Sequence, residues 1–146
     1  MNKCLSPFYV TITLAIAFIA SAFTSFGDTT NLLALSLVLF FITIFIHELG
    51  HVVFGVLAGY RFHFMTVGPL TIEHNERLKI VPNHSWTMFG GAAYCMPIST
   101  DNELTKKHMS YAAGGPLFSI SAAIILFPLW LLTDASLLAY AMILHA

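Results

Sequence analysis

Apolar residues run along this chain in long blocks divided by short polar breaks. The first block, PFYVTITLAIAFIASAFTSF from Pro7 to Phe26, holds no charge and has about the 20 residues that a helix needs to cross a bilayer. The break GDTTN, residues 27 to 31, reads as a turn in which Asp28 or Asn31 caps the next helix. That second helix is expected over residues 32 to 59, longer than one crossing needs, so that it tilts or protrudes. A third block, SYAAGGPLFSISAAIILFPLWLL, predicts a spanning helix over residues 110 to 132. Gly114, Gly115 and Pro116 fall near its start, where proline is tolerated and small residues permit close helix packing. Thr133-Asp134 is a turn, and ASLLAYAMILHA begins a partial fourth helix over residues 135 to 146. That is too short to cross as a straight helix, so the chain is expected to be cut before its last element is complete.

Residues 60 to 109 differ in character. RFHFMTVGPLTIEHNERLKIVP has short β-branched and aromatic stretches around Gly68-Pro69 and a polar turn at Glu73 to Glu76. It predicts strands or a hairpin at the membrane face. WTMFGGAAYCMP, residues 86 to 97, has paired glycines and no helical stripe, and is expected to be a re-entrant or groove-lining loop. The predicted fold class is an α-helical integral membrane protein. It has three transmembrane helices plus a partial fourth, with a membrane-face β-hairpin or re-entrant segment between helices two and three. All of it forms a single membrane-embedded domain over residues 1 to 146.

Composition agrees. Hydrophobic residues make up 58% and charged residues 9%, against roughly 25% charged in an ordinary soluble domain. A net charge of −1 provides no field to attract nucleic acid, which is excluded as a partner; the lipid bilayer is the expected surroundings. Two cysteines, Cys4 and Cys95, are no disulfide framework and read as packing or interfacial residues. The first block also resembles a signal peptide, with Lys3 as its basic start and Ala20-Ser21-Ala22 as a cleavage site. Its apolar run exceeds a signal core, which favours a retained helix. Of the six basic residues, Lys3 precedes helix one and the other five, from Arg61 to Lys107, lie between helices two and three. The excess of positive charge on cytoplasmic loops then places the N-terminus and residues 60 to 109 in the cytoplasm.

Candidate chemistry sits in IFIHELGHVVFG, residues 44 to 55. On a helix, residues four apart share a face, so His47 and His51 can present two imidazoles to one ion. Glu48 lies about 100° round, beside the ion. This H-E-x-x-H spacing suits Zn²⁺, with a third protein ligand and a water completing the set. The ion lowers the pKa of that water to near 7, and Glu48 can take its proton and pass it to the leaving nitrogen. The pattern is short and arises by chance in soluble proteins. In a spanning helix, however, ionisable groups are costly, by roughly 2.5–3.5 kcal/mol for charged types on insertion scales, so three together point to function.

HELGH within a transmembrane helix resembles the site-2 protease family of intramembrane zinc metalloproteases. Ala113-Gly114-Gly115-Pro116-Leu117-Phe118-Ser119 is similar to that family's G-P-x-x-N helix motif, with Ser119 where asparagine is usual. The strands and the Gly90-Gly91 loop also fit, and the resemblance spans roughly residues 31 to 132. It implies a zinc-dependent endopeptidase of a cell membrane, expected to be bacterial, that cuts transmembrane or membrane-proximal segments of a membrane protein substrate. His47 and His51 are then metal ligands and Glu48 the catalytic base. The family's third ligand is an aspartate in an L-D-G type motif on a later helix, and no such motif occurs here. Asp134 is a weak candidate; the ligand is expected beyond Ala146, or lost. His63, His74, His84, His108 and His145 obey no ligand spacing and read as interfacial or solvated. The alternative is a catalytically incomplete zinc-binding relative that binds a partner without cleavage. A zinc transporter is disfavoured, because helices one and three carry no charged residue where transport sites draw ionisable groups from several helices.

Overall fold

The computed structural model describes residues 6–21, 27–98, 103–133, 141–143 and 145. Helix α1 is Pro7–Ser21, α2 is Gly27–Leu57 and α3 is Leu104–Thr133. Between α2 and α3 lie four strands: β1 Tyr60–Val67, β2 Leu70–His74, β3 Leu78–Pro82 and β4 Ala92–Pro97.

Within these apolar helices, polar side chains fold back on the backbone. Thr11 and Thr13 donate to the carbonyls of Pro7 and Tyr9, and Thr43 to that of Leu39. Each hydroxyl is thereby satisfied inside its own helix, as an apolar solvent demands. α2 stops where Gly59 adopts φ +83°, and the amide of Ala58 bonds the Phe54 carbonyl at 2.9 Å. Glycine pays no Cβ penalty in that left-handed position.

Two helices are long and apolar enough to cross a membrane, Leu33–Leu57 and Leu104–Pro128. Only 17% and 11% of their most apolar windows is buried within the chain, so those faces do not serve a protein core. α1 is described over 15 residues, about 22 Å of helix, short of the roughly 30 Å hydrocarbon layer. Two of the three expected crossings are therefore found at full length among the described residues. Most of the expected fourth helix, 135 to 146, lies outside them. α3 begins six residues earlier than Ser110, where the sequence becomes apolar. Leu104 to Met109 forms a charged helical turn that precedes the greasy part, and hydropathy alone hides its onset.

The sheet is antiparallel throughout, in the order β3-β2-β1-β4. The expected hairpin is present: Val67 pairs with Leu70 around Gly68-Pro69, and Gly68 has φ +54°. The expected loop over residues 86 to 97 is corrected. Trp86–Met88 is a single 3-10 turn, and Ala92–Pro97 is a strand paired with β1. Ala92 and Ala93 carry little strand propensity of their own, so this strand owes its form to its neighbour. A bulge at His63 shifts the register between Phe62 and Phe64.

α2 packs chiefly on α3. The crossing is closest at Gly50 and Gly114, where a Cβ on Gly50 would lie 2.7 Å from the Gly114 carbonyl carbon and 2.8 Å from Cβ of Phe118. Small residues let the two backbones meet in this way. Tyr60, Met65, Thr66 and Cys95 are buried where the sheet meets the helices. The N-terminal end of α1 is tied to the chain after β3. Phe8 donates its amide to the Asn83 carbonyl at 3.3 Å, and Ser6 Oγ lies 3.0 Å from Nδ1 of His84.

Candidate metal centre and active site

His47, Glu48 and His51 lie on α2, ten residues or fewer from its last turn at Leu57. By helical rise His47 is about 15 Å below that end. The helical spacing does what it predicts: Nε2 of His47 and Nε2 of His51 stand 3.3 Å apart, with ring planes at 77°.

Each imidazole is anchored through its other nitrogen to α3. His51 Nδ1 donates to the Tyr111 carbonyl at 2.9 Å. A carbonyl only accepts, so the proton of a neutral His51 is on Nδ1 and its Nε2 is a bare lone pair. His47 Nδ1 lies 3.1 Å from Ser119 Oγ. Two nitrogens placed as these Nε2 atoms are can share one proton or one cation. Two Zn–N bonds of about 2.0–2.1 Å at a tetrahedral angle set their nitrogens roughly 3.3–3.4 Å apart, which is the spacing found. Each remote nitrogen is held by an oxygen, the arrangement that orients histidine ligands.

A third observation concerns Gly115. A Cβ there would lie 2.6 Å from Nε2 of His47 and in hard contact with Nε2 of His51. The missing side chain leaves the space in which both lone pairs converge. The donor set, its spacing and this gap fit a zinc ion bound by His47 and His51. Among the described residues no group of three His, Cys, Asp or Glu side chains is arranged to hold a metal together. Asp134 lies outside the described residues.

Glu48 is 9% exposed. Its carboxylate meets Gly91, where an added Cβ would be 2.5 Å from Oε1 and 2.7 Å from Cγ2 of Ile44. Gly91 also has φ +111°, so glycine is required twice over: by the left-handed backbone and by the room for the acid. The Gly90-Gly91 turn thus lines the groove as expected, although the residues that follow it form a strand.

A cavity of about 400 Å³ opens in front of the pair, walled by His47, Glu48, Gly90, Pro116, Ser119 and His145 among others. Pro116 removes the amide that would bond the Ala112 carbonyl, within the same stretch of α3 that supplies the Tyr111 carbonyl and Ser119. Tyr111 adds a further tie: its hydroxyl donates to the Ala93 carbonyl at 2.6 Å, joining α3 to β4.

The remaining histidines divide. His63 packs against Tyr94, His84 against Tyr9, and His108 against Tyr111, and none of these three lines the cavity. His74 ends β2. His145 departs from its expected interfacial or solvated place: it is 5% exposed and lines the cavity of His47 and Glu48. No sequence spacing links it to them. Tyr111 carries no sequence signal for its place at the site, since it contributes a backbone oxygen to His51. Cys95 is buried, as a packing residue should be, and burial pushes its thiol above the ordinary value.

Compared with known proteins, residues 35–142 match the profile of peptidase family M50. The matched stretch is nearly three-quarters of the chain and contains His47, Glu48, His51, the whole sheet and α3. No curated protein and no solved structure matches the chain.

Proposed function

The chain belongs to peptidase family M50, the metallopeptidases of site-2 protease type, and from that premise we propose that it is a zinc-dependent intramembrane endopeptidase. Its substrate is a membrane protein, cut within or beside a transmembrane segment. The observation that carries this reading is the 3.3 Å convergence of the His47 and His51 Nε2 atoms beside Glu48, on a helix apolar enough to span a membrane.

His47 and His51 would hold the ion. When bound there, zinc supplies Lewis acidity that activates water and polarises a carbonyl. The Glu48 carboxylate accepts the proton of the attacking water and delivers it to the leaving amide nitrogen. Ser119 and the Tyr111 carbonyl hold the two imidazoles in orientation. Gly91 leaves Oε1 of Glu48 free of a neighbouring side chain.

A substrate helix hides its carbonyls in its own hydrogen bonds, so it must be extended before attack. Edge-strand pairing can hold it so. β1, the first strand along the chain, is covered by β2 on one side and β4 on the other. Among the described residues the edge strands are β3 and β4, and β4 follows directly from Gly91 beside Glu48. β4 is therefore the edge we assign to the substrate.

The cytoplasmic placing of the N-terminus and residues 60–109, in a bacterial cell membrane, belongs to the same proposal. The contacts of Ser6 and Phe8 with His84 and Asn83 support setting both basic stretches on one side. The decisive experiment uses the detergent-purified chain with a labelled transmembrane substrate. Glu48→Gln should retain zinc and lose cleavage; cleavage at the wild-type rate would remove Glu48 from the chemistry.

A second reading is a relative that binds zinc and a partner without cutting. The absence, among the described residues, of a three-donor cluster favours it. Zinc retention with no cleavage of any membrane substrate by the wild-type chain would establish it.

A further inference from the structure

His145 sits on a helical turn described at residues 141–143 and 145. It is 5% exposed, and its Nδ1 is shut off from solvent with no hydrogen-bond partner among the described residues. Its ring borders the cavity of His47, Glu48 and Ser119. An imidazole buried without a partner is costly, and native structures rarely leave one so. Since Nδ1 is sealed, Nε2 is the nitrogen open to the cavity.

The tautomer follows from the same accounting. An orphaned N–H is worse tolerated than an orphaned acceptor, so the proton of neutral His145 belongs on Nε2. The other polar side chains of the cavity are committed. Thr43 gives its proton to the Leu39 carbonyl. Ser119 Oγ is held at His47 Nδ1. Glu48 can accept, but its carboxylate oxygen Oε1 lies against Gly91. Nor, among the described residues, does His145 form a three-donor metal group with its neighbours; it lines the cavity beside His47 and Glu48.

We propose that His145 is a substrate-binding residue: its Nε2–H donates to the carbonyl oxygen of the peptide unit that lies in the cavity, and holds that oxygen as negative charge gathers on it during attack. This rests on the peptidase reading. The role is that of an oxyanion donor held in place by burial, and such a donor is worth about a hundredfold or more in kcat.

The test uses the full chain in detergent and two probes: a phosphinic pseudo-tripeptide, whose tetrahedral anionic oxygens mimic the charged state, and acetohydroxamate, a small zinc binder. His145→Phe keeps a ring without the donor, and His145→Gln keeps a donor. The expected result is wild-type zinc content in both, with phosphinic-peptide affinity lowered about 10–100-fold in H145F and restored to within a few-fold in H145Q. Acetohydroxamate affinity should be unchanged. Should H145F fail to fold, His145→Met against H145Q makes the same comparison at similar volume. Wild-type affinity for the phosphinic peptide in the donor-free variant overturns the proposal. So does loss of zinc from a folded variant, which would make His145 a ligand. A wild-type chain that binds neither zinc nor either probe overturns the peptidase reading itself.

Discussion

A Cβ on Gly115 would stand 2.6 Å from Nε2 of His47. The glycine of one helix thereby makes room for the lone pairs of the other. Gly115→Ala keeps both histidines in the sequence but drives a methyl against their Nε2 atoms, into the space where an ion would sit. Zinc affinity should fall at least about tenfold, the scale of change produced by removing a group that merely orients a ligand, with the helical content unchanged. Metal analysis after dialysis against a weak chelator checks this; full retention of zinc by G115A would place the ion elsewhere.

Ser119 orients His47 from the facing helix, at 3.1 Å. Ser119→Ala removes the oxygen that fixes the ring, and zinc affinity should fall about 10–100-fold. Ser119→Asn keeps a polar partner in reach and should recover part of the loss. Competition with a fluorescent zinc chelator measures both, and equal affinity in S119A and wild type would deny the Nδ1 contact any role.

How far the sequence discloses this site follows from which contacts are local. His47, Glu48 and His51 are legible because a helix converts a spacing of four into one face. Their supports are not, since Ser119 lies 72 residues from His47 and Tyr111 lies 60 from His51. A departure from a family pattern drew attention to Ser119, but nothing local tells a backbone carbonyl such as that of Tyr111 from its neighbours. The same logic governs the fold. The β1–β2 hairpin is announced by Gly68-Pro69, whereas β4 has no alternation of its own and exists through its pairing with β1. His145 reaches the cavity by tertiary packing alone.

Cys95 offers a probe of the interface between sheet and helices. Burial raises its thiol above the ordinary value, so thiolate is scarce at neutral pH, and it is thiolate that reacts. In a Cys4→Ser background, alkylation by N-ethylmaleimide should be much slower in the folded chain than in the unfolded one. Its rate should keep climbing beyond about pH 8.5, where a free thiol is half-ionised. The sign for stability is fixed likewise: a raised thiol pKa favours the folded chain below the unfolded value, and that contribution is lost as pH rises through the folded one. Equal alkylation rates in folded and unfolded chains would show Cys95 to be accessible.

The Gly50–Gly114 crossing couples stability to the site. A Cβ on Gly50 would meet the Gly114 carbonyl, and one on Gly114 would meet that of Gly50. Backbone cannot swing aside as a side chain can, so either alanine must push α2 from α3. Overpacking of this kind costs about 1–3 kcal/mol, and it also moves Ser119 and the Tyr111 carbonyl away from the imidazoles they hold. Gly50→Ala and Gly114→Ala should therefore lower the unfolding midpoint and the zinc affinity together. Gly90→Ala, whose Cβ would meet nothing within 4 Å, should leave the midpoint unchanged. Denaturant titrations followed by circular dichroism, paired with metal analysis, test the coupling. A destabilised G50A that binds zinc as tightly as wild type would separate the helix crossing from the metal centre.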